Sequence, residues 1–366
     1  MAQHTDGGRV TMKDIAAALD VSINTVHKAL TGKSGVSDAV RCRIVKLADE
    51  LGYRRNAAAS NLRRKRVRIA ICLPAATGTG RYFHAYLWEG CRRHLDEARD
   101  SGIEAEFIDF EIGSYAPCLS RLVERVEAGG HLDGLLALAP AEGEETSLLR
   151  RLTDAGVSLI LLNGDRPQTK RVGAVVADFE SAGGLLAEQA ENLLRFAGPG
   201  ARVLLLSGDA AMPSHELVAR AFRERLRRRW PGLVIDEVPG AHGQADELHR
   251  ALLAHLEAAR PALAVSVFAL GSEILADTLV ELGLAGEVAA LGSDLFPESI
   301  AALRQGVFTN LVYKDPVGMA YRAIGDLIDA VLWHALPANE VQTGSVELVF
   351  QSNLAQVCAR ASANLR

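Results

Sequence analysis

From Val67 onwards the chain alternates continuous apolar runs with amphipathic stretches, and no other feature constrains its fold as strongly. Val67 to Leu73, Glu104 to Phe110, Leu132 to Leu138 and Val157 to Leu162 read as strands, with helices from Ala85 to Ser101 and from Pro117 to Gly129 between them. A second run follows, with strands at Gly173 to Ala177, Arg202 to Ser207, Leu233 to Val238, Ala264 to Phe268 and Val288 to Leu291. Its helices run from Glu180 to Phe196, up to Arg229, and from Asp246 to Ala258. Strands that are apolar along their whole length are buried on both faces, as happens when helices cover both sides of a parallel sheet. Two such runs in 366 residues predict two doubly wound parallel α/β sheets. Ligands of such sheets sit beyond the carboxyl ends of the strands.

The segment before Val67 has a different character. Thr11 can cap a helix, with Asp14 three residues on favouring its positive end, and Ile15, Ala16 and Leu19 share one face. After a turn at Asp20-Val21, Ser22 caps a second helix whose Val26 and Leu30 face back. The pattern is a helix-turn-helix, which frees Ile23, Asn24 and Lys28 to enter a major groove; a helical hairpin that only packs is the alternative. Ser37 caps a third helix with an apolar stripe of Val40, Ile44, Leu47 and Leu51, and Gly52 stops it. These helices predict a small all-α head.

Charge separates the two parts. Arg9 to Arg68 carries 14 Lys or Arg against 5 Asp or Glu, a net of +9, in a chain whose formal net charge is −5. A basic head on an acidic body suits a polyanion partner. The run from Arg54 to Arg68 has many cations and little to bury, so alone it reads as a charged linker. A helix over Asn56 to Leu62 would instead offer Ala57, Ala58 and Ala59 for close packing against a second copy. Leu62 beside Arg63 would then act as a wedge for a minor groove.

Thr11, Asp14, Ala16, Val21-Ser22, Thr25-Val26, Leu30, Gly32, Val36-Ser37, Arg41, Leu51-Gly52-Tyr53, Asn56, Ala59 and Leu62 stand at gapless spacing, and this stretch resembles the DNA-binding head and hinge of the lactose-repressor family. The resemblance implies base reading by Ile23, Asn24, His27 and Lys28 and backbone contacts from Thr11, Ser22, Thr25 and Tyr53. It also implies a paired hinge of Asn56, Ala59, Leu62 and Arg63 in a homodimer on a pseudo-palindromic operator. Leu19-Asp20, His27, Lys28 and Arg55 depart from the usual family residues, which bears on which sequence is read.

The strand-end loops of the remainder, from Val67 to Gln351, are similar to the sugar-binding positions of ribose-type periplasmic binding proteins, through Asp165-Arg166-Pro167, Gly292-Ser293-Asp294 and Leu311 to Pro316. That similarity implies a two-lobed, periplasmic-binding-protein-like domain. Asp165, Arg166, Arg220 and Asp294 would hold ligand hydroxyls, Tyr82 and Phe83 would stack on a sugar face, and Lys314 would stand where Gln is common. Gly80-Arg81 and Gly271-Ser272 depart from the usual Asn-Pro and Asn-Asp. Lys314 with Arg166 and Arg220 suggests a sugar acid or sugar phosphate as well as a plain sugar. The implied limits are a head at 9–53, a hinge at 54–66, an N-terminal lobe at 67–170 with 312–341, and a C-terminal lobe at 171–311 with 342–366.

Other chemistries find little support. Gly78-Thr79-Gly80 lacks the ending of a phosphate loop, and His242, His249 and His255 share no ligand-like spacing with acids or thiols, so no metal or cofactor is implied. No catalytic constellation stands out, so an enzyme is not expected. The five cysteines are widely spaced and lack paired motifs, and the opening residues lack an apolar signal region, which together imply the cytoplasm. The reading is a ligand-responsive DNA-binding regulator, a repressor in type. A sugar-binding or transport component without a DNA role is the alternative.

Overall fold

The structure, a computed structural model, describes residues 10, 12–19, 21–30, 36–51, 67–111, 113–140, 142–195, 197–198, 200–210, 212–240 and 244–361. Three helices open it: α1 (Met12–Leu19), α2 (Ile23–Leu30) and α3 (Asp38–Glu50). Ile15, Val26 and Ile44 are fully buried between them, joined by Ala16, Ala29 and Ala48. Leu51, expected on the buried stripe, is 40% exposed; it follows the last turn of α3, where no other helix among the described residues covers it. Arg41 on α3 donates to the carbonyls of Lys28 (3.1 Å) and Ala29 (2.8 Å), which satisfies the open end of α2 and locks the two helices together.

The body contains two six-stranded sheets. The first takes β1 (Val67–Pro74), β2 (Ile103–Phe110), β3 (Gly134–Leu138), β4 (Ser158–Leu162) and β5 (Gly173–Val176), with β11 (Val341–Thr343) at its edge. Its order is β11-β5-β4-β3-β1-β2, parallel throughout. The second takes β6 (Arg202–Gly208), β7 (Val234–Pro239), β8 (Leu263–Ser266), β9 (Ala289–Ser293) and β10 (Asn310–Tyr313), with β12 (Glu347–Val349) antiparallel to β10. The two runs of apolar strands thus form two sheets, as expected. One strand changes side: Gly173–Val176, read as the start of the second run, hydrogen-bonds to β4 in the first sheet. The chain therefore crosses after Val176 instead of at 170/171, and β10 keeps residues 312 and 313 in the second sheet. Strand pattern is the same in both lobes, so pairing partners decide this and apolar periodicity does not.

Helices cover both sheets. On the first lie α4 (His84–Glu97), α5 (Tyr115–Glu127), α6 (Glu144–Asp154) and the late helix α12 (Pro316–Trp333), whose Met319, Ile324 and Leu327 pack on Ile69, Ile71 and Leu73. On the second lie α7 (Phe179–Leu194), α8 (Pro213–Arg229), α9 (Ala245–Ala258), α10 (Ala269–Glu281), α11 (Pro297–Arg304) and α13 (Gln351–Ala361). Two helix pairs approach backbone to backbone at glycine: a Cβ on Gly90 would lie 2.3 Å from the Val317 carbonyl, and one on Gly183 2.3 Å from that of Val218. No described helix is long and apolar enough to cross a membrane.

Candidate functional site

In the head, Ser22 Oγ accepts the N–H of Thr25 at 3.0 Å, an N-cap that starts α2 as its sequence requires. Ser22 is exposed and Thr25 and Lys28 are half-buried, so they border the face of α2 turned away from Val26 and Ala29. The backbones of Ile23, Asn24 and His27 lie in α2. Thr11, Tyr53, Asn56, Ala59, Leu62 and Arg63 lie outside the described residues.

In the body, a cavity lies between the lobes at the strand ends, with about 750 Å³ of empty space counting its open mouth. Of the residues named from the sequence, Tyr82, Phe83, Asp294 and Lys314 line it. Asp294 follows β9 and Lys314 follows β10, on neighbouring strands. Lys314 Nζ donates to Ser293 Oγ at 2.7 Å and reaches both Asp294 oxygens at 2.9 and 3.0 Å, with both side chains almost fully buried. Asp294 holds a left-handed backbone (φ 68°), which re-aims its carboxylate as β9 ends.

Asp165, Arg166 and Arg220 do not join them. Asp165 is held by Arg171 through two hydrogen bonds of 2.7 and 2.9 Å, and Arg166 points at the Pro140 carbonyl. Strand β4 ends at Leu162, so the position facing the cavity is Asn163, and Asp165 falls beyond the bend. Arg220 sits too far along α8: the first turns of that helix supply Ser214, His215 and Val218, while Arg220 pairs with Glu180 at the surface. The expected cluster of Arg166, Arg220 and Lys314 is therefore absent, and with it the reason for an acidic or phosphorylated ligand. Asn163, which shares the strand-end loop with Asp165 and Arg166, lines the cavity in their place, and Thr79, His84, Phe179, Met212 and Phe268 also line it and were missed. Phe268 and Val218 look like core residues in sequence.

Tyr82 does more than line the cavity. Arg81, in the 3₁₀ turn Gly78–Tyr82, donates to Glu298 at 2.6 Å and to both Glu273 oxygens at 2.8 Å, linking the first lobe to α10 and α11. The Tyr82 hydroxyl donates to the same Glu273, and its ring meets Phe296 edge-on at 5.0 Å. Burial, with the Glu273 hydrogen bond, pushes the Tyr82 hydroxyl up to about 12. The departures Gly80-Arg81 and Gly271-Ser272 thus lie close to one another across the cleft, next to this latch.

Burial alone would raise the Glu298 carboxyl, but Arg81 and a backbone N–H outweigh it and hold it below its ordinary value. A depressed carboxyl stabilises the joined state fully above its ordinary pKa and loses that contribution as pH falls through the depressed one. The Arg81–Glu298 arm of the latch should therefore weaken as pH falls below the ordinary glutamate range. Arg81 is 41% exposed, so after screening Arg81→Ala should cost the joined state only on the order of 1 kcal/mol, roughly a fivefold shift toward separated lobes. Small-angle scattering of the two proteins checks both; an unchanged radius of gyration would count against the latch.

Comparison with known proteins places these parts. Residues 11–56 match the model for bacterial regulatory proteins of the lacI family, and residues 76–332 match the periplasmic binding protein domain. A search of curated proteins finds no match. Among solved structures, the glucose-galactose binding protein GanP of Geobacillus stearothermophilus superposes with a TM-score of 0.67 at 18% identity, covering 79% of this chain and 99% of that one. A protein of Bacteroides fragilis described as a LacI transcriptional regulator gives 0.69 at 16% identity, over 80% of this chain and 99% of its own. A solute binding protein of Bacillus halodurans with bound myo-inositol gives 0.67 at 16% identity, over 81% and 98%. With the family head on a two-lobed binding domain that matches most of its length, this chain belongs to the lacI family of bacterial regulatory proteins.

Proposed function

We propose that the protein is a ligand-responsive, sequence-specific repressor that controls genes for the use of a sugar or sugar derivative. The observation that carries this is the union in one chain of a helix-turn-helix head with a cavity between two lobes. A small effector in that cavity, touching Phe83, Asn163, Asp294 and Lys314, biases how the lobes meet. In a homodimer this movement decides whether two hinge segments, 54–66, fold together on a pseudo-palindromic operator. Ser22, Ile23, Asn24, Thr25, His27 and Lys28 read or grip the DNA, aided by Thr11 and Tyr53, and Asn56, Ala59, Leu62 and Arg63 act at its centre. The similar structures of a glucose-galactose binding protein and of a solute binding protein with bound myo-inositol support an effector of that size. Such a protein acts in the cytoplasm, beside its DNA, as a binder and not as a catalyst.

Deletion of residues 9–66 tests this by electrophoretic mobility shift on genomic fragments. The full chain should retard a specific fragment, and the truncated chain should lose at least about a thousandfold in affinity. Equal retardation by both would overturn the reading in favour of a plain binding component.

A further inference from the structure

The cavity wall says what kind of effector it takes, given that the cavity is the effector site. Its charges cancel. Among the described residues Lys314 is the lysine or arginine that lines it, and its ammonium donates to Ser293 Oγ and to Asp294 Oδ2, with Asp294 Oδ1 also at 2.9 Å. His215 Nδ1 accepts the Asp209 N–H at 3.1 Å, so that ring nitrogen is already engaged. Among the described residues no arginine lines the cavity. An anionic ligand would have to displace Asp294 from Lys314 and leave a buried carboxylate unpaired.

The rest of the wall is largely apolar, with Phe83, Phe179, Met212, Val218, Phe268 and Leu270. Phe268 is a built position. A Cβ on Gly271 would lie 2.5 Å from its ring and one on Gly240 2.8 Å from it, so two glycines make the room that ring occupies. The His215 ring lies 5.0 Å from it, tilted by 37°. A free polyol can lay its C–H face on one such ring, but its rim hydroxyls pressed on the rest of this wall would lose water without gaining a partner. Polar groups are nevertheless present: Asn163 Oδ1 is buried with no hydrogen-bond partner and can accept from a ligand hydroxyl or amine.

We infer that the effector is an uncharged molecule of two parts, a flat aromatic ring joined to a hydroxylated portion. Its ring lies against Phe268, and its polar edge meets Asn163 and the Lys314–Asp294 pair. Nucleosides and aryl glycosides share this chemistry, and separate arms of one experiment distinguish them.

Isothermal titration calorimetry of the full chain would compare adenosine and uridine with D-ribose and ribose phosphate, and phenyl glucoside with D-glucose and glucuronate. At least one aromatic probe should bind about tenfold or more tightly than its free sugar, and the charged probes should bind more weakly than the neutral ones. Phe268→Leu, with its melting temperature as a check on folding, should remove most of that preference. Ribose phosphate or glucuronate binding more tightly than every neutral probe would overturn the inference, as would a free sugar matching its aromatic derivative. So would a panel in which nothing binds. A free sugar that binds and releases operator DNA would remove this inference alone, since the regulator reading fails only if the head proves dispensable for DNA binding.

Discussion

Asp294→Asn should destabilise the body by about 3–5 kcal/mol, because it leaves the Lys314 ammonium buried beside a neutral amide. Asparagine keeps the left-handed backbone at this position tolerable and keeps the side-chain shape, so the loss reports the missing charge. The pair lies under 7% or less side-chain exposure, so water cannot compensate. Adding Lys314→Met should recover most of the stability, since replacing both partners removes the stranded charge instead of creating one. Urea denaturation of the two variants checks this. If the single variant melts like the parent, the pair is solvated more than its burial indicates.

Phe222→Ala should be as damaging, at about 3–5 kcal/mol, for a different reason. Phe222 is fully buried on α8 within the second-lobe core, and truncation leaves a cavity that close-packed neighbours cannot fill. Thermal unfolding should drop by on the order of 10 °C. Phe222→Leu should cost far less. One turn before Phe222, Val218 lines the effector cavity, and further back along the same helix lie His215 and Ser214. A loosened α8 should therefore weaken effector binding too, and calorimetry at a temperature where the variant is folded would show it.

With Leu51 the exception, the helices and most of their packing were legible in the described residues of the head. Its helices are short and local, and its caps and apolar faces lie within a few positions of one another, so Ser22, Val26 and Ile44 fall where periodicity puts them. The alternation after Val67 likewise foretold two sheets. What was not legible is which sheet claims a strand: Gly173–Val176 and Asn310–Tyr313 look alike in sequence, and only their neighbours separate them. The cleft was half legible for the same reason. Lys314 and Asp294 directly follow strands and were found, whereas Asp165 and Arg220 carry suitable chemistry a few residues too far along. Phe268 was invisible because an aromatic that faces a ligand and one that faces a core have the same spacing.

The order in which the strands are claimed also governs how the molecule can come into being. The first lobe lacks its covering helix α12 and edge strand β11 until everything in the second lobe up to β10 has been made, and the second lobe then waits for β12 and α13. A chain emerging from the ribosome thus holds an unfinished first core for most of its synthesis, with the apolar faces of Ile69, Ile71 and Leu73 uncovered. The first lobe becomes whole with β11 and the second only with α13, so a premature stop before Val341 damages both lobes, whereas one after Thr343 damages the second alone.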